Sequence, residues 1–155
     1  MSGLLMNRAQ LQILVKGVQQ GAANFPDPPS KASSDGAYAL AYNLYAAGNY
    51  QDAQVVFQSL CVYCSNDARY WTGLGACRQA LQQYPLAVDA YQMAAVIAEL
   101  KNPDPMLRAA GCLIEMGEKD EAKQALELTL SIGDKQDPKV SECHERAQAL
   151  LALLA

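Results

Sequence analysis

The chain has 155 residues, a length that suits one domain, and 51% of them are hydrophobic, which is enough for a continuous core. A formal net charge of −4 argues against a nucleic-acid-binding surface, because such a surface needs clustered lysine and arginine side chains. No apolar stretch approaches the roughly 20 residues that cross a bilayer, and the start of the chain lacks the pattern of a signal peptide. We therefore expect a cytoplasmic protein without stable membrane insertion, whose partners are proteins or peptides and not nucleic acid.

The first predicted element is an amphipathic helix within residues 1–20. Four apolar side chains recur there at i, i+3, i+4 and i+7 and so share one face of the helix: Leu11, Leu14, Val15 and Val18. This stripe fits a cap on the helices that follow, or a surface for self-association. The pattern does not choose between the two, and these four residues are the candidates for dimerisation.

Residues 21–34 are predicted to be a proline-rich linker, because three prolines within Phe25 to Ser30 remove backbone donors. We expect Ser33, Ser34 or Asp35 to cap the helix that follows by accepting its free N–H groups.

One pattern occurs three times in residues 35–136. Ala53, Ala87 and Ala122 are separated by 34 and 35 residues, close to the period of about 34 residues of a tetratricopeptide (TPR) repeat. Each of the three alanines is followed four residues later by a bulky partner: Phe57, Tyr91 and Leu126. A small residue lets two helices approach closely and the bulky one fills the space beside it. Three copies in register predict an all-α TPR solenoid of three helix-pair repeats.

The first helix of each repeat carries a matching pair that should face the core: Leu40-Ala41, Leu74-Gly75 and Ala109-Ala110. Gly48 and Gly117 stand where two of the three turns within a repeat are expected. The turn of the second repeat, Leu81 to Tyr84, has no glycine.

Three tyrosines lie on one face of the first repeat's opening helix. Tyr38, Tyr42 and Tyr45 are spaced by four and three residues, and the TPR frame directs them into the concave groove. A tyrosine offers a flat apolar ring with a hydroxyl, which suits binding of an extended peptide. The alternative is that the rings pack against the N-terminal helix. The same frame predicts further groove residues in the second and third repeats: Arg69, Thr72, Ala76, Gln79, Leu107 and Ile114.

Residues 137–155 are predicted to form a C-terminal capping helix that begins at Asp137-Pro138. Its apolar stripe would cover the exposed edge of the last repeat: Val140, Cys143, Ala147, Leu150, Leu151 and Leu154.

No constellation for catalysis or metal binding is predicted. Cys61 and Cys64 have Cys-x-x-Cys spacing, but a zinc site needs about four ligands and the chain has no second such pair. The single histidine, His144, follows the end of the predicted solenoid, without a glycine-rich loop or an assembled set of nucleophile, base and orienting group. We expect reduced, packed cysteines, a protein that is not an enzyme, and no cofactor.

Two stretches resemble a known family. These are Tyr38 to Tyr50, with the sequence YALAYNLYAAGNY, and Asp67 to Gln79, with the sequence DARYWTGLGACRQ. Together with Ala53 and Phe57 to Cys61, they look like the class II chaperones of bacterial type III secretion, the low-calcium-response chaperones. The similarity is greatest over residues 35–100 and continues more loosely to about 150. The linker departs from the family pattern, which has a glycine-glycine-threonine-leucine-like step and a short helix before the repeats.

The resemblance implies a chaperone that holds hydrophobic translocator proteins in the bacterial cytoplasm and keeps them competent for export. The translocator would contribute an extended segment with proline and leucine anchors, of Pro-x-Leu-x-x-Pro type, and the groove aromatics would be Tyr38, Tyr42 and Tyr45. The family also implies a homodimer supported by the N-terminal helix.

Two related functions are also compatible with the sequence. One is a chaperone of another secretion component, such as a needle subunit, which would place a helix in the groove. The other is a general TPR adaptor for peptides. An adaptor of the carboxylate-binding kind would use lysine and asparagine in the groove, where this chain has tyrosines and only Arg108 as a candidate.

Overall fold

The computed structural model describes residues 3–20 and 30–155, and the side chains of residues 3–16 and 30–155. Within these ranges the chain forms eight α-helices and no strand: α1 (Arg8–Gln20), α2 (Lys31–Ala46), α3 (Tyr50–Tyr63), α4 (Ala68–Ala80), α5 (Tyr84–Ile97), α6 (Asp104–Glu115), α7 (Lys119–Leu130) and α8 (Pro138–Leu154). Each helix from α2 to α7 packs against the next one, and α1 packs against α5. The predicted solenoid of three helix pairs, with one added helix at each end, is confirmed.

The small and bulky residues of the repeat occupy the positions that the spacing predicts. Ala53, Ala87 and Ala122 are fully buried at the helix crossings, and the three bulky partners are buried beside them. Tyr91 also makes a polar contact, because its hydroxyl donates to Gln79 Oε1 at 2.7 Å. The repeated alanines therefore set how closely neighbouring helices approach.

The turns within the repeats share one backbone conformation. Gly48 and Gly117 have φ angles of +83° and +77°, in the left-handed region that glycine enters without steric cost. In the second repeat, Gln82 takes the same role with a φ of +60°. The turn geometry is thus conserved between the repeats even where the glycine is missing.

Helix α2 begins earlier than the sequence predicted. Its N-cap is Ser30, whose Oγ accepts the backbone N–H of Ser33 at 3.2 Å. Ser33, Ser34 and Asp35 are therefore inside the helix, and the expected cap at one of them was wrong. Ser30 is the first residue after the prolines that carries a hydroxyl group, so its side chain can cap the helix three residues before Ser33. Residues 21–29 of the predicted linker lie outside the described residues.

Leu40 does not enter the core. Its side chain is 53% exposed, whereas the equivalent Leu74 and Ala109 of the later repeats are buried. Among the described residues no repeat precedes the first one, and α1 packs against α5. The predicted core position of Leu40 was wrong for this reason, while its neighbour Ala41 is buried as expected.

The N-terminal segment is held along α5 and α7. Gln92 of α5, only 1% exposed, accepts the backbone N–H of Met6 at 2.7 Å and donates to the carbonyl oxygen of Leu4 at 2.8 Å. The guanidinium of Arg8 donates to the backbone oxygen and hydroxyl of Ser131 at 2.9 and 2.6 Å. These bonds join the start of the chain to the second and third repeats.

Helix α8 covers the last repeat as predicted. Asp137 caps it by accepting the N–H of Lys139 at 2.9 Å, and Val140 and Ala147 are buried. Four other residues of the predicted stripe pack against the core while partly exposed: Cys143, Leu150, Leu151 and Leu154. Leu153, outside the stripe, is 80% exposed.

Candidate peptide-binding groove

A cleft of about 330 Å³ is lined by the first helices of all three repeats. Six of the predicted groove residues line it together: Tyr38, Tyr42, Tyr45, Arg69, Thr72 and Ala76. The other lining residues are Phe57, Ala68, Gly73, Asn102, Asp104 and Arg108. The helical spacing of the tyrosines and the TPR frame together bring these side chains to one surface.

The tyrosine rings are held by other aromatic rings. The ring of Tyr38 lies 5.6 Å from that of Tyr70 and 6.1 Å, edge-on, from that of Phe57, measured between centroids. Tyr45 packs edge-on against Tyr50 at 5.2 Å. These contacts, and the packing of α1 on α5, count against the alternative in which the tyrosines pack on the N-terminal helix.

Tyr42 presents the most open ring of the three. It lies 6.4 Å from the ring of Tyr38, and 59% of the residue is exposed, whereas Tyr38 and Tyr45 are half-buried. A ring that is fixed at one edge and free on its face can cover an apolar partner with little loss of side-chain entropy.

Arg69 is fixed in place beside the rings. Its Nε and Nη2 donate to the carboxylate of Asp67 at 3.0 and 2.7 Å, and its guanidinium lies 4.9 Å from the centroid of the Tyr38 ring. The hydrogen bonds from Arg69 hold the pKa of Asp67 below its ordinary value. Asp67 also caps α4 by accepting the backbone N–H of Arg69, so one carboxylate orients both the helix start and a side chain of the cleft.

Small residues keep the floor of the cleft low. A Cβ on Gly73 would collide with the ring of Phe57, which lies 2% exposed beneath it. The Thr72 hydroxyl donates to the carbonyl oxygen of Ala68 at 2.8 Å, so its one donor is used within the helix. The floor therefore offers mainly apolar contact.

Three predicted groove residues lie elsewhere. Leu107 is 4% exposed within the core of the last two repeats, and Ile114 packs against the same core. Gln79 accepts the hydrogen bond from Tyr91 and does not line the cleft. In α6 the cleft is lined by Asp104 and Arg108, whose side chains form an ion pair with 2.7 Å between Nε and Oδ2. The i, i+4 spacing of opposite charges was the signal in the sequence that could have shown which face of α6 is solvated.

Two of the four predicted dimerisation residues pack against the core of their own chain. Leu11 is fully buried in the main core, and Val15 is partly buried and packs against the same core. Leu14 is 39% exposed and its neighbour Ile13 is 69% exposed. The side chain of Val18 lies outside the described residues. Of the two interpretations of this helix, the capping role accounts for Leu11 and Val15.

The chemically reactive side chains have structural partners. Burial raises the pKa of the Cys61 thiol to about 12, and the Sγ of Cys64 lies 3.3 Å from Ser34 Oγ. His144 is 8% exposed with Nε2 2.9 Å from the carbonyl oxygen of Ile132. Among residues 3–20 and 30–155, no three His, Cys, Asp or Glu side chains are grouped to hold a metal ion. No helix in the same ranges is long and apolar enough to cross a membrane.

Comparison with known proteins gives one family. A model of the tetratricopeptide repeat matches residues 106–131. Low calcium response locus protein H of Yersinia pseudotuberculosis is 44% identical over 115 residues, which are 74% of this chain and 67% of that protein. The Yersinia enterocolitica type III secretion chaperone SycD, solved with a peptide of the translocator YopD, has a TM-score of 0.73 and 38% identity, covering 81% of this chain and 94% of SycD.

A second solved complex agrees with the first. PcrH of Pseudomonas aeruginosa, bound to the chaperone-binding region of PopD, has a TM-score of 0.74 and 34% identity, covering 81% of this chain and 93% of PcrH. The repeat architecture, the tyrosine-lined cleft and these similarities lead to one conclusion: the chain belongs to the family of type III secretion translocator chaperones.

Proposed function

We propose that this protein binds a hydrophobic translocator of a type III secretion system in the bacterial cytoplasm, and that an extended segment with proline and leucine anchors occupies the tyrosine-lined cleft. One observation carries the proposal: six residues predicted to face the groove line a single cleft at the first helices of all three repeats. SycD and PcrH, which share the fold, were solved with peptides of their translocators.

The chemistry of the cleft suits such a segment. Proline and leucine side chains are apolar and compact, and the rings of Tyr38 and Tyr42 offer apolar faces above a floor made of Phe57 and small residues. An extended segment with prolines also loses less conformational entropy on binding than a freely flexible one.

Binding of this kind would protect the translocator without any catalytic step or cofactor. A protein destined for a membrane exposes apolar helices that aggregate in water. Holding one short segment leaves the rest of the translocator incompletely folded, and ordering that segment offsets part of the contact energy. A moderate affinity then permits release at the export gate.

Fluorescence anisotropy with a labelled Pro-x-Leu-x-x-Pro peptide tests this proposal. Tyr42→Ala removes the most open ring of the cleft and should weaken binding by more than tenfold, which corresponds to about 1.4 kcal/mol. Tyr63→Ala is the matched control, because Tyr63 is equally open, at 63% exposed, but lies at the end of α3 outside the cleft. This variant should bind within about twofold of wild type.

Two results would count against the proposal. Equal losses of peptide affinity in Tyr42→Ala and Tyr63→Ala would indicate that the peptide binds outside the cleft. No binding of the extended peptide, combined with binding of a helical needle-subunit peptide, would favour the alternative cargo.

A further inference from the structure

The guanidinium of Arg69 is bonded along one edge and open along the other. Its Nε donates to Oδ1 of Asp67 at 3.0 Å and its Nη2 donates to Oδ2 at 2.7 Å. A guanidinium carries five N–H groups, and this pairing uses two of them. The side chain is 57% exposed, and its guanidinium makes no other hydrogen bond within residues 3–16 and 30–155. Three N–H donors are therefore available at the cleft that Arg69 lines.

Two aromatic rings hold this guanidinium in place. Its central carbon lies over the Tyr38 ring, 4.9 Å from the centroid, and 5.7 Å from the centroid of the Tyr70 ring. A planar group that is fixed by a carboxylate and by rings loses little side-chain freedom when its open edge forms a hydrogen bond. Arg69 is thus a preorganised donor beside one of the rings proposed to contact the apolar anchors.

The two arginines that line the cleft are each neutralised by a carboxylate. Arg69 pairs with Asp67, and Arg108 pairs with Asp104, with 2.7 Å between nitrogen and oxygen in both pairs. Each positive charge is therefore balanced by a negative one beside it. An uncharged acceptor, such as a peptide carbonyl oxygen, satisfies an open N–H group without disturbing this balance.

The acceptors of the cleft are more fully engaged than its donors. Asn102 Oδ1 accepts the backbone N–H of Asp104 at 3.0 Å, and Asp104 Oδ2 accepts from Arg108 at 2.7 Å. An extended segment with prolines has the complementary imbalance, because a proline lacks an N–H group while every residue keeps its carbonyl oxygen. Open donors in the cleft match the open acceptors of such a segment.

We propose that Arg69 donates from its open edge to a main-chain carbonyl oxygen of the bound segment. The inference rests on the proposed function and adds a backbone contact to it, while the tyrosines hold the apolar side chains. One hydrogen bond at a solvated site corresponds to about fivefold in affinity.

Anisotropy with the labelled Pro-x-Leu-x-x-Pro peptide tests the protein side of this contact. Arg69→Leu removes the donors, so it should bind the peptide about fivefold more weakly than wild type, in low and in high salt alike. Arg69→Lys should not restore the affinity, because its single ammonium group stays paired with Asp67 and has no second edge. Lys119→Leu is the control: it removes the same charge from an exposed position at the start of α7, outside the cleft, and should bind like wild type.

Thionated peptides test the bond itself. In each version of the peptide, sulfur replaces one main-chain carbonyl oxygen and weakens that group as an acceptor. One version should bind wild type about threefold to fivefold more weakly than the parent peptide does. The same version should show no such penalty with Arg69→Leu. This coupling would not arise if Arg69 acted only by positioning the Tyr38 ring.

The outcomes separate this inference from the proposed function. Wild-type affinity in Arg69→Leu or Arg69→Lys, with the Tyr42→Ala loss intact, would overturn the backbone contact and leave the cleft in place. So would a loss in Arg69→Leu that disappears in high salt, or thionation penalties that are equal in wild type and Arg69→Leu at every carbonyl. No binding of any peptide to wild type would overturn both.

Discussion

Gln92 is the polar side chain on which the position of the N-terminal segment depends most, and Gln92→Glu tests that role with almost no change of shape. The amide accepts from Met6 and donates to Leu4 while only 1% exposed. A carboxylate keeps the first hydrogen bond and loses the second. It also places a buried negative charge against the carbonyl oxygen of Leu4.

The expected loss follows from two physical costs. A buried group left without its hydrogen bond costs about 1–3 kcal/mol, and the buried charge adds to this. We expect the free energy of unfolding to fall by about 3 kcal/mol at neutral pH, which is a large part of the about 5–15 kcal/mol typical of a domain. The same change corresponds to a melting temperature lower by about 10 °C.

The loss should depend on pH in a defined direction. Burial disfavours the charged form, so the introduced glutamate has a higher pKa in the folded chain than its unfolded value of about 4.3. In the pH range between the two, the folded state binds more protons than the unfolded state. Stability therefore falls as pH rises through the folded pKa, and it recovers on acidification because the protonated carboxyl can again donate to Leu4.

Urea unfolding at several pH values measures both effects. Gln58→Glu is the matched control, since Gln58 is exposed on α3 and its neighbours one helix turn away carry no charge. It should change stability by less than about 0.5 kcal/mol. A Gln92→Glu protein as stable as the control, or a loss that does not shrink toward acid pH, would refute the role given to this amide.

The remaining predictions concern helix packing and the Asp67–Arg69 pair. Gly75→Ala should lower the free energy of unfolding by about 1–3 kcal/mol, because the new Cβ would lie 2.6 Å from Tyr91 Cε1. Gly111→Ala is the control: its Cβ would have no neighbour within 4 Å, so stability should stay the same or rise. Equal urea midpoints for the two variants would contradict this. Asp67→Asn keeps a helix cap but loses the pair with Arg69, which is 57% exposed, so it should cost less than about 1 kcal/mol. The pKa of Asp67 is lowered in the folded chain, so its contribution should be present above the ordinary value of 3.8 and vanish as pH falls through the folded pKa. A difference from wild type that persists in acid would refute this origin.

Most residues of the cleft could be predicted because their common face depends only on their spacing along one helix. The spacing of Tyr38, Tyr42 and Tyr45 fixes their common face in any helix, and the repeat frame directs that face to the groove. In α6 the frame placed Leu107 in the groove, and this was wrong. The solvated face there carries Asp104 and Arg108, while Leu107 turns into the core.

The sequence by itself determined the number of repeats, their register and the identity of the close helix contacts. Period and residue size are enough for this, because each helix pair must bury the same face against its neighbour. Ala53, Ala87 and Ala122 therefore mark the close helix contacts in the sequence alone, and all three are fully buried.

Only the tertiary structure decided what happens at the ends of the array. An apolar stripe is the same in sequence whether it is covered by its own chain or by a partner. In the folded chain, Leu11 is buried where α1 packs on α5, and Leu40 is exposed on the first repeat. The tertiary structure also brings α8 beside the start of α6. These contacts join residues distant along the chain, so no local periodicity encodes them.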